Sequence, residues 1–464
     1  MNILYPRIDW RKDGPGYVES EFPVYSWMVA VLYKMFGYHE EIARIVSFLF
    51  SALSCIIVFK LSLYLLPPLG AIIAMAVFAL NPVAVRLGSA VQPEPLMFAA
   101  YLMGIYFFLR WLDTEKLRYY VISLVAAALA VLAKISALHV GVIFAFLSFD
   151  RFGWRAFTKW KLYIFAAGVL LPTILWYSHA RALWLQFGNS LGISNEAYLR
   201  MTSLSFLKAA RATIIGVMRI EMLTVWMVPG CVLGFLGLMR AWKPRTQRLL
   251  IYWLIALASF YVLTGRTTGE SWATYYHIVS TPCAALLMGQ SISWVLAERD
   301  GKSKLNSIPR LLTPKRKALA LALAILFISV ICFEVRLVAR YFRSGAPNAL
   351  FKCAENFRNF VPSGTMIAVT GGSKFDQLGM LRAYDRPYMF FWLDCKGFVI
   401  ANEDLSIEYV RVLQNKGTKF LVAEKRDLKL AAGLEEKLAS SFLKTAECEQ
   451  AILFRLDDSH EMPK

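Results

Sequence analysis

The chain has 464 residues, of which 58% are hydrophobic and 14% aromatic, and carries a formal net charge of +19. A water-soluble globule cannot bury that much apolar surface, so the composition points to an integral membrane protein. Much of the positive charge lies in short loops between apolar runs, which sets nucleic-acid binding aside in favour of membrane topology.

The first stretch, from Tyr5 to Tyr25, mixes Asp9, Asp13, Glu19 and Glu21 with Arg7, Arg11 and Lys12. It reads either as a solvated leader or as a loop that handles a charged substrate at a membrane surface. Glu21–Gly37, "EFPVYSWMVAVLYKMFG", is apolar but short and is punctuated by Pro23 and Gly37. It is expected to lie along the interface, where Tyr25, Trp27 and Tyr33 suit the depth.

Runs able to supply the ~20 residues of one crossing cover 42–66, 69–85, 95–112, 163–181, 223–240, 249–265, 276–297 and 318–335. The stretch 119–149 is too long for one comfortable crossing of a ~30 Å core and short for two. Charge decides between them. Arg110, Lys116 and Arg118 precede it, and Arg151, Arg155, Lys159 and Lys161 follow it. Both loops belong on the cytoplasmic side, so the chain crosses an even number of times between them. A break near Lys134–Ser136 satisfies this and places Lys134 and His139 near the outer face. The expected fold is an all-α polytopic membrane domain of about ten helices.

The remaining cationic loops, at 240–248 and 299–317, then lie inside. Residues 1–41, 85–94, 182–222, 266–275 and everything after 336 lie outside. The 182–222 loop, with Arg200, Lys208, Arg211 and Arg219, is cationic for an outer loop, which suits an anionic lipid headgroup. Nothing before Met1 carries residues 1–41 across, so a helix upstream is expected, with Met1 an internal methionine.

The tail, 337–464, alternates short strands ("GTMIAVTGG", "KFLVAEK", "AILFRL") with amphipathic helices ("NALFKCAENFRNF", "SIEYVRVLQNKG", "GLEEKLASSFLKTA"). That alternation implies a small extracytoplasmic α/β domain. The domain plan is 1–41 outer loop with interfacial helix, 42–336 transmembrane and 337–464 α/β. Cys353, Cys395 and Cys448 fall in the tail, where one disulfide is open. No P-loop, HExxH or zinc spacing occurs.

Polar residues that could do chemistry gather in the outer loops. Glu94, between Pro93 and Pro95, sits where a helix enters the membrane, so its carboxylate is poorly solvated and needs a partner. Helix-dipole stabilisation is the plain alternative. Lys134 reads either as a snorkelling lysine or as a cation that meets a phosphate. Arg266, Glu270, Tyr275, Tyr276 and His277 cluster in the last outer loop, as belt aromatics beside an anion site. Arg86, Arg181 and His179 read as snorkelling side chains. Cations can stabilise a leaving phosphate, and a carboxylate can take the proton of an attacking hydroxyl.

Taken in order, "ESEFPVYSWMVAVLYKMFG", "ARIVSFLFSALSCIIVFKL", "NPVAVRLGSAVQPEPLMFAAYLMGIYFFLRWL", "LAKISALHVGV" and "ATYYHIVSTPCAALLMG" resemble the glycosyltransferase family 39 group. That group includes dolichyl-phosphate-mannose protein mannosyltransferases and bacterial aminoarabinose transferases. The resemblance implies a GT-C fold in a bacterial or archaeal cell membrane. It implies a polyprenyl-phosphate sugar donor, a lipid, glycan or protein acceptor, and inversion at the anomeric carbon. A carboxylate of the first outer loop is the usual base, and Glu94 matches the acidic residue of the next one. Arg266 and His277 fall in the region that handles the carrier phosphate, with Arg7, Arg11, Lys134, Tyr275 and Tyr276 as further candidates. The family's own first acidic residue would lie before Asn2, which leaves Asp9, Glu19 and Glu21 as candidate bases. A divalent cation, Mg or Mn, between Glu94 and an acid of the first loop is left open. A catalytically inactive scaffold and a lipid-linked sugar transporter are the rival readings. The transporter is disfavoured because the charges gather at loop ends rather than at mid-membrane.

Overall fold

The computed structural model describes residues 2–7, 16–188, 190, 214–241, 248–296, 314–343, 349–375, 386–430 and 433–456. Asp9, Arg11 and Asp13 lie outside these, as does the side chain of Arg266. The chain divides into two compact units. The first takes in Glu21–Trp176 and Arg200–Arg343. The second takes in Asn2–Ser20, Tyr177–Leu199 and Ser344–Lys464.

The first unit is helical. Its elements are α1 (Val24–Phe36), α2 (Glu40–Leu65), α3 (Pro68–Leu80), α4 (Pro82–Gly88), α5 (Glu94–Thr114), α6 (Leu117–Ala133) and α7 (Val140–Phe152). There follow α8 (Trp160–Phe187), whose residues from Tyr177 on belong to the second unit, α9 (Ile214–Val225), α10 (Val228–Ala241), α11 (Arg248–Thr268), α12 (Thr281–Leu296) and α13 (Pro314–Phe342). Among the described residues, 5 helices are long and apolar enough to cross a membrane, or 7 if each bent pair counts as one span. Shorter apolar helices, α1, α6 and Arg248–Thr264 within α11, add to them. Helix α6 has 17 residues and α12 has 16.

Each break has a local cause. Asn81 precedes Pro82, and the proline ring pushes it out of the helical region, to φ −58° and ψ 126°. Asn81 then caps α4 by accepting the Val83 N–H at 3.1 Å. Helices α3 and α4 consequently meet at 60°. Between α9 and α10 the bend is 94°. There the last turn of α9, Glu221–Val225, is a π-helix, and Met227 adopts φ 56° ahead of Pro229.

Helix α5 is the centre of the bundle. It packs against α2, α6 and α7, and Tyr101, Leu102, Ile105 and Phe108 along it are fully buried. By contrast α2 exposes Phe48, Leu49, Ile56 and Leu63, and α13 exposes Leu321, Ile325 and Ile328. An apolar outer face of this kind is stable against lipid and not against water. Small residues bring some helices together closely. A Cβ placed on Gly289 of α12 would lie 2.4 Å from the carbonyl oxygen of Gly70 on α3.

In the second unit the C-terminal domain holds a five-stranded sheet in the order β2-β1-β3-β5-β4. The strands are β1 (Met366–Gly372), β2 (Lys396–Ala401), β3 (Phe420–Glu424), β4 (Leu443–Glu447) and β5 (Ala451–Arg455). β1 is parallel to β2 and β3, while β5 runs antiparallel to β3 and β4. Helices α14 (Ala349–Phe357), α16 (Ile407–Asn415) and α18 (Leu434–Ser441) flank it, with short turns α15 (Tyr388–Trp392) and α17 (Lys425–Leu428) between them. Three strands and the three helices match the segments expected from the sequence. β2 and β4 were not expected. β2 is buried on both faces and so shows no alternation, and β4 follows α18 directly, within what reads as one helical run.

Cys353 on α14 is disulfide-bonded to Cys448, just past β4, with Cα atoms 5.5 Å apart and a sequence separation of 95. Cross-links closing loops of this length typically contribute about 2–4 kcal/mol. Cys353→Ser is therefore expected to lower the thermal midpoint of the C-terminal domain, and a reductant should do the same to the unsubstituted chain. Thiol labelling during a melt of the full chain in detergent measures both.

Candidate active site

The N-terminus of α5, the C-terminus of α6 and the first loop converge on one lysine. Helix α6 stops at Ala133 because Lys134 is extended, at φ −161° and ψ 118°. A 3-10 turn, Ile135–His139, then carries the chain into α7. Neither proline nor glycine makes this break, which places the lysine side chain against the first residue of α5.

Lys134 Nζ donates to Glu94 Oε1 and lies 4.0 Å from Glu21 Oε1. The lysine and Glu94 side chains are only 7% and 4% exposed, whereas Glu21 keeps 26%. Rings of Tyr275 and Tyr276 stand 4.7 and 4.8 Å from the ammonium, close enough for cation–π attraction. The Phe22 N–H donates to the Leu132 carbonyl at 3.1 Å, which pins the loop carrying Glu21 to the end of α6. Glu94 Oε2 is buried and has no hydrogen-bond partner among the described residues. Burial raises the Glu21 carboxyl above the usual glutamate range; the Lys134 charge pulls it back down and the Glu94 charge adds to the rise.

A second polar cluster surrounds Glu221 in the π-turn. Its carboxylate accepts from Tyr261 at 2.5 Å, from Trp226 Nε1 at 2.9 Å and from Ser280 at 2.9 Å to each oxygen. His277 Nδ1 also pairs with it, and His277 Nε2 lies 2.8 Å from the Thr268 carbonyl. His277 is fully buried. Although next in sequence to Tyr276, it is engaged with Glu221 and not with Lys134. Glu221 is not among the candidates that the sequence singles out. An isolated carboxylate within "MRIEMLTVW" was the available signal.

The other candidates fall on other elements. Arg7 pairs through its backbone with Tyr17 in the second unit. Glu19, also in the second unit, is fully buried and accepts from Ser190 Oγ, while its Oε1 has no hydrogen-bond partner among the described residues. Arg266 sits in the last turns of α11.

Residues 15–179 match the family model of dolichyl-phosphate-mannose-protein mannosyltransferases. Comparison with curated protein sequences gives no match. Among solved structures the chain is similar to ArnT from Cupriavidus metallidurans bound to undecaprenyl phosphate. The identity is 13%, over 97% of this chain and 90% of that one, with a TM-score of 0.61. It is also similar to the archaeal oligosaccharyltransferase AglB from Archaeoglobus fulgidus in complex with an inhibitory peptide and a dolichol-phosphate. Here identity is 13% over 91% of this chain and 63% of that one, with a TM-score of 0.55. At these identities the likeness is one of fold. The chain has the GT-C fold, a polytopic membrane domain followed by a small α/β domain.

Removing one member of a buried ion pair strands the other charge and costs about 3–5 kcal/mol. Lys134→Met is therefore expected to lower the melting temperature of the detergent-solubilised chain strongly. Adding Glu94→Gln should restore part of that loss, so the double variant falls short of the sum of the singles. Additive effects in this cycle would show that the two side chains do not interact.

Proposed function

We infer that the chain is a glycosyltransferase that moves a sugar from a polyprenyl-phosphate donor to a hydroxyl-bearing lipid, glycan or protein acceptor. The convergence of Glu21, Glu94, Lys134, Tyr275 and Tyr276 in one pocket of a GT-C fold carries the reading. The disulfide in the C-terminal domain supports an oxidising compartment for that domain, outside the cytoplasm.

The roles divide by burial. Glu94 and Lys134 are sealed and act by holding the pocket in shape. Glu21 is the carboxylate within reach of a ligand, so it serves as the general base. The acceptor hydroxyl attacks the anomeric carbon from the face opposite the phosphate. As the new C–O bond forms, its proton passes to Glu21. The bond from the anomeric carbon to the phosphate oxygen breaks, and the carrier phosphate leaves with the electron pair. In-line displacement of this kind inverts the anomeric centre.

A divalent cation in this pocket would be held by Glu21 and Glu94. The described residues do not fit one. They contain no group of three His, Cys, Asp or Glu side chains able to hold a metal ion, and the Lys134 ammonium already sits between the two carboxylates.

The test uses the full chain in membranes with a radiolabelled polyprenyl-phosphate sugar. Glu21→Gln is expected to lower turnover by about 10²–10⁴ while donor binding persists. Turnover at the unsubstituted rate would remove Glu21 from the mechanism. Because the base works only when ionised, the rate should fall as pH drops through the Glu21 pKa. The midpoint is expected above the usual glutamate range. A rate flat through that interval speaks against the assignment.

A further inference from the structure

Residues 151–163, where α7 passes into α8, read "RFGWRAFTKWKLY". A 3-10 turn, Gly153–Thr158, makes the connection. The spans Ile135–Thr158 and Trp160–Phe187 are both long and apolar enough to cross a membrane. The turn therefore ends one crossing and leads into the next, at the edge of the hydrocarbon layer. Three large rings project from it. Trp154 is 79% exposed, Phe157 62% and Trp160 65%. Phe149 of α7 meets Trp154 edge-on, with centroids 5.4 Å apart, and Trp154 stacks on Phe157 at 5.9 Å. Tyr163 donates to the Phe157 carbonyl at 2.9 Å and Thr158 to the Arg155 carbonyl at 3.0 Å, which holds the turn in shape. Ring surface of this extent is unfavourable in water and favourable at headgroup depth.

Cations alternate with the rings. Arg151, Arg155, Lys159 and Lys161 are all exposed, and among the described residues none of them pairs with a carboxylate. Asp150, the acid beside them in sequence, holds Arg248 at 2.9 Å. The Lys159 ammonium stands 5.4 Å from the Phe152 ring and the Lys161 ammonium 6.0 Å from the Trp160 ring, so the charges lie next to the aromatic surface. Tyr120, in the first turn of α6, donates to the Lys161 carbonyl at 2.7 Å. That bond brings the α5–α6 connection to the same end of the bundle. Arg118 of α6 stands there 4.7 Å from the Tyr119 ring.

We propose that residues 151–163 form a docking surface for acidic phospholipids of the surrounding leaflet. Trp154, Phe157 and Trp160 enter the interfacial layer, and Arg151, Arg155, Lys159 and Lys161 meet the headgroup phosphates. The occupant follows from the pairing of rings and charge. An apolar protein face would leave four cations unmatched, and a soluble anion would leave the rings in water. A layer of acidic headgroups satisfies both, and the two crossings hold the turn at its depth. The arginine forks suit phosphate oxygens in particular. Helix α7 has the Lys134 break at one end and this turn at the other. Headgroup binding therefore sets the depth of the helix that follows the Lys134 break.

The test puts a photo-reactive benzophenone side chain in place of Phe157 in the full chain. The chain is reconstituted in liposomes of phosphatidylglycerol and phosphatidylcholine at equal mole fraction, and the photo-adducts are identified by mass spectrometry. One basic side chain at an anionic surface is worth a factor of about five. Phosphatidylglycerol adducts are therefore expected to exceed phosphatidylcholine adducts about fivefold or more, and the excess should shrink at high salt. Arg151→Gln, Arg155→Gln, Lys159→Gln and Lys161→Gln together should return the adducts to the bulk composition, and each alone should remove part of the excess. An unchanged melting temperature separates this loss from misfolding; if the fourfold variant melts early, the single variants decide. Adducts in bulk proportion when all four cations are present overturn the acidic-headgroup assignment. An excess that survives the fourfold variant and every single one overturns the role of these cations. Adducts to a second copy of the chain, in place of lipid, overturn the lipid surface itself.

Discussion

The site depends on a lysine ammonium buried against a carboxylate at the junction of two helices. Taking both charges out of water costs several kcal/mol per ion, so the pair persists only where the surroundings hold it in register. Here they do. The chain breaks at Lys134, α5 begins at Glu94, and the N-terminal end of that helix favours a negative charge. Two tyrosine rings close over the cation. The same pair draws in the first loop, because Glu21 is the second carboxylate around Lys134. Local backbone, packing and electrostatics therefore agree at one point, and the geometry of the pocket follows from that agreement.

The arrangement also separates two demands that conflict. A carboxylate sealed with its counter-ion is well placed but cannot meet a substrate. A solvated carboxylate meets substrate but is poorly placed and weakly basic. In the proposed mechanism one glutamate serves each purpose, with Lys134 common to both. The Glu221 cluster is a second fixed point next to the Tyr275–Tyr276 segment. It commits His277, Tyr261, Ser280 and Trp226 to one carboxylate and so fixes the 3-10 turn on which the two tyrosines ride.

Much of this was legible in the sequence. Cationic loops on both sides of 119–149 required an even number of crossings, and the break falls at Lys134, within the segment where charge placed it. Glu94 stood out because a carboxylate at a membrane entry needs a partner. The identity of that partner was not legible. Lys134 and Glu94 are 40 residues apart in sequence, and nothing in hydropathy or spacing pairs them. His277 looked like a neighbour of Tyr276 because adjacency in sequence is all a sequence displays. The turn of a 3-10 helix sends the two side chains to different partners.

The Gly70–Gly289 contact has a consequence for the bundle itself. Where α3 meets α12, backbone touches backbone too closely to admit even a methyl group. Nothing as wide as a hydrocarbon chain can pass between the helices at that point. The seam is closed there by two residues that have no side chain at all.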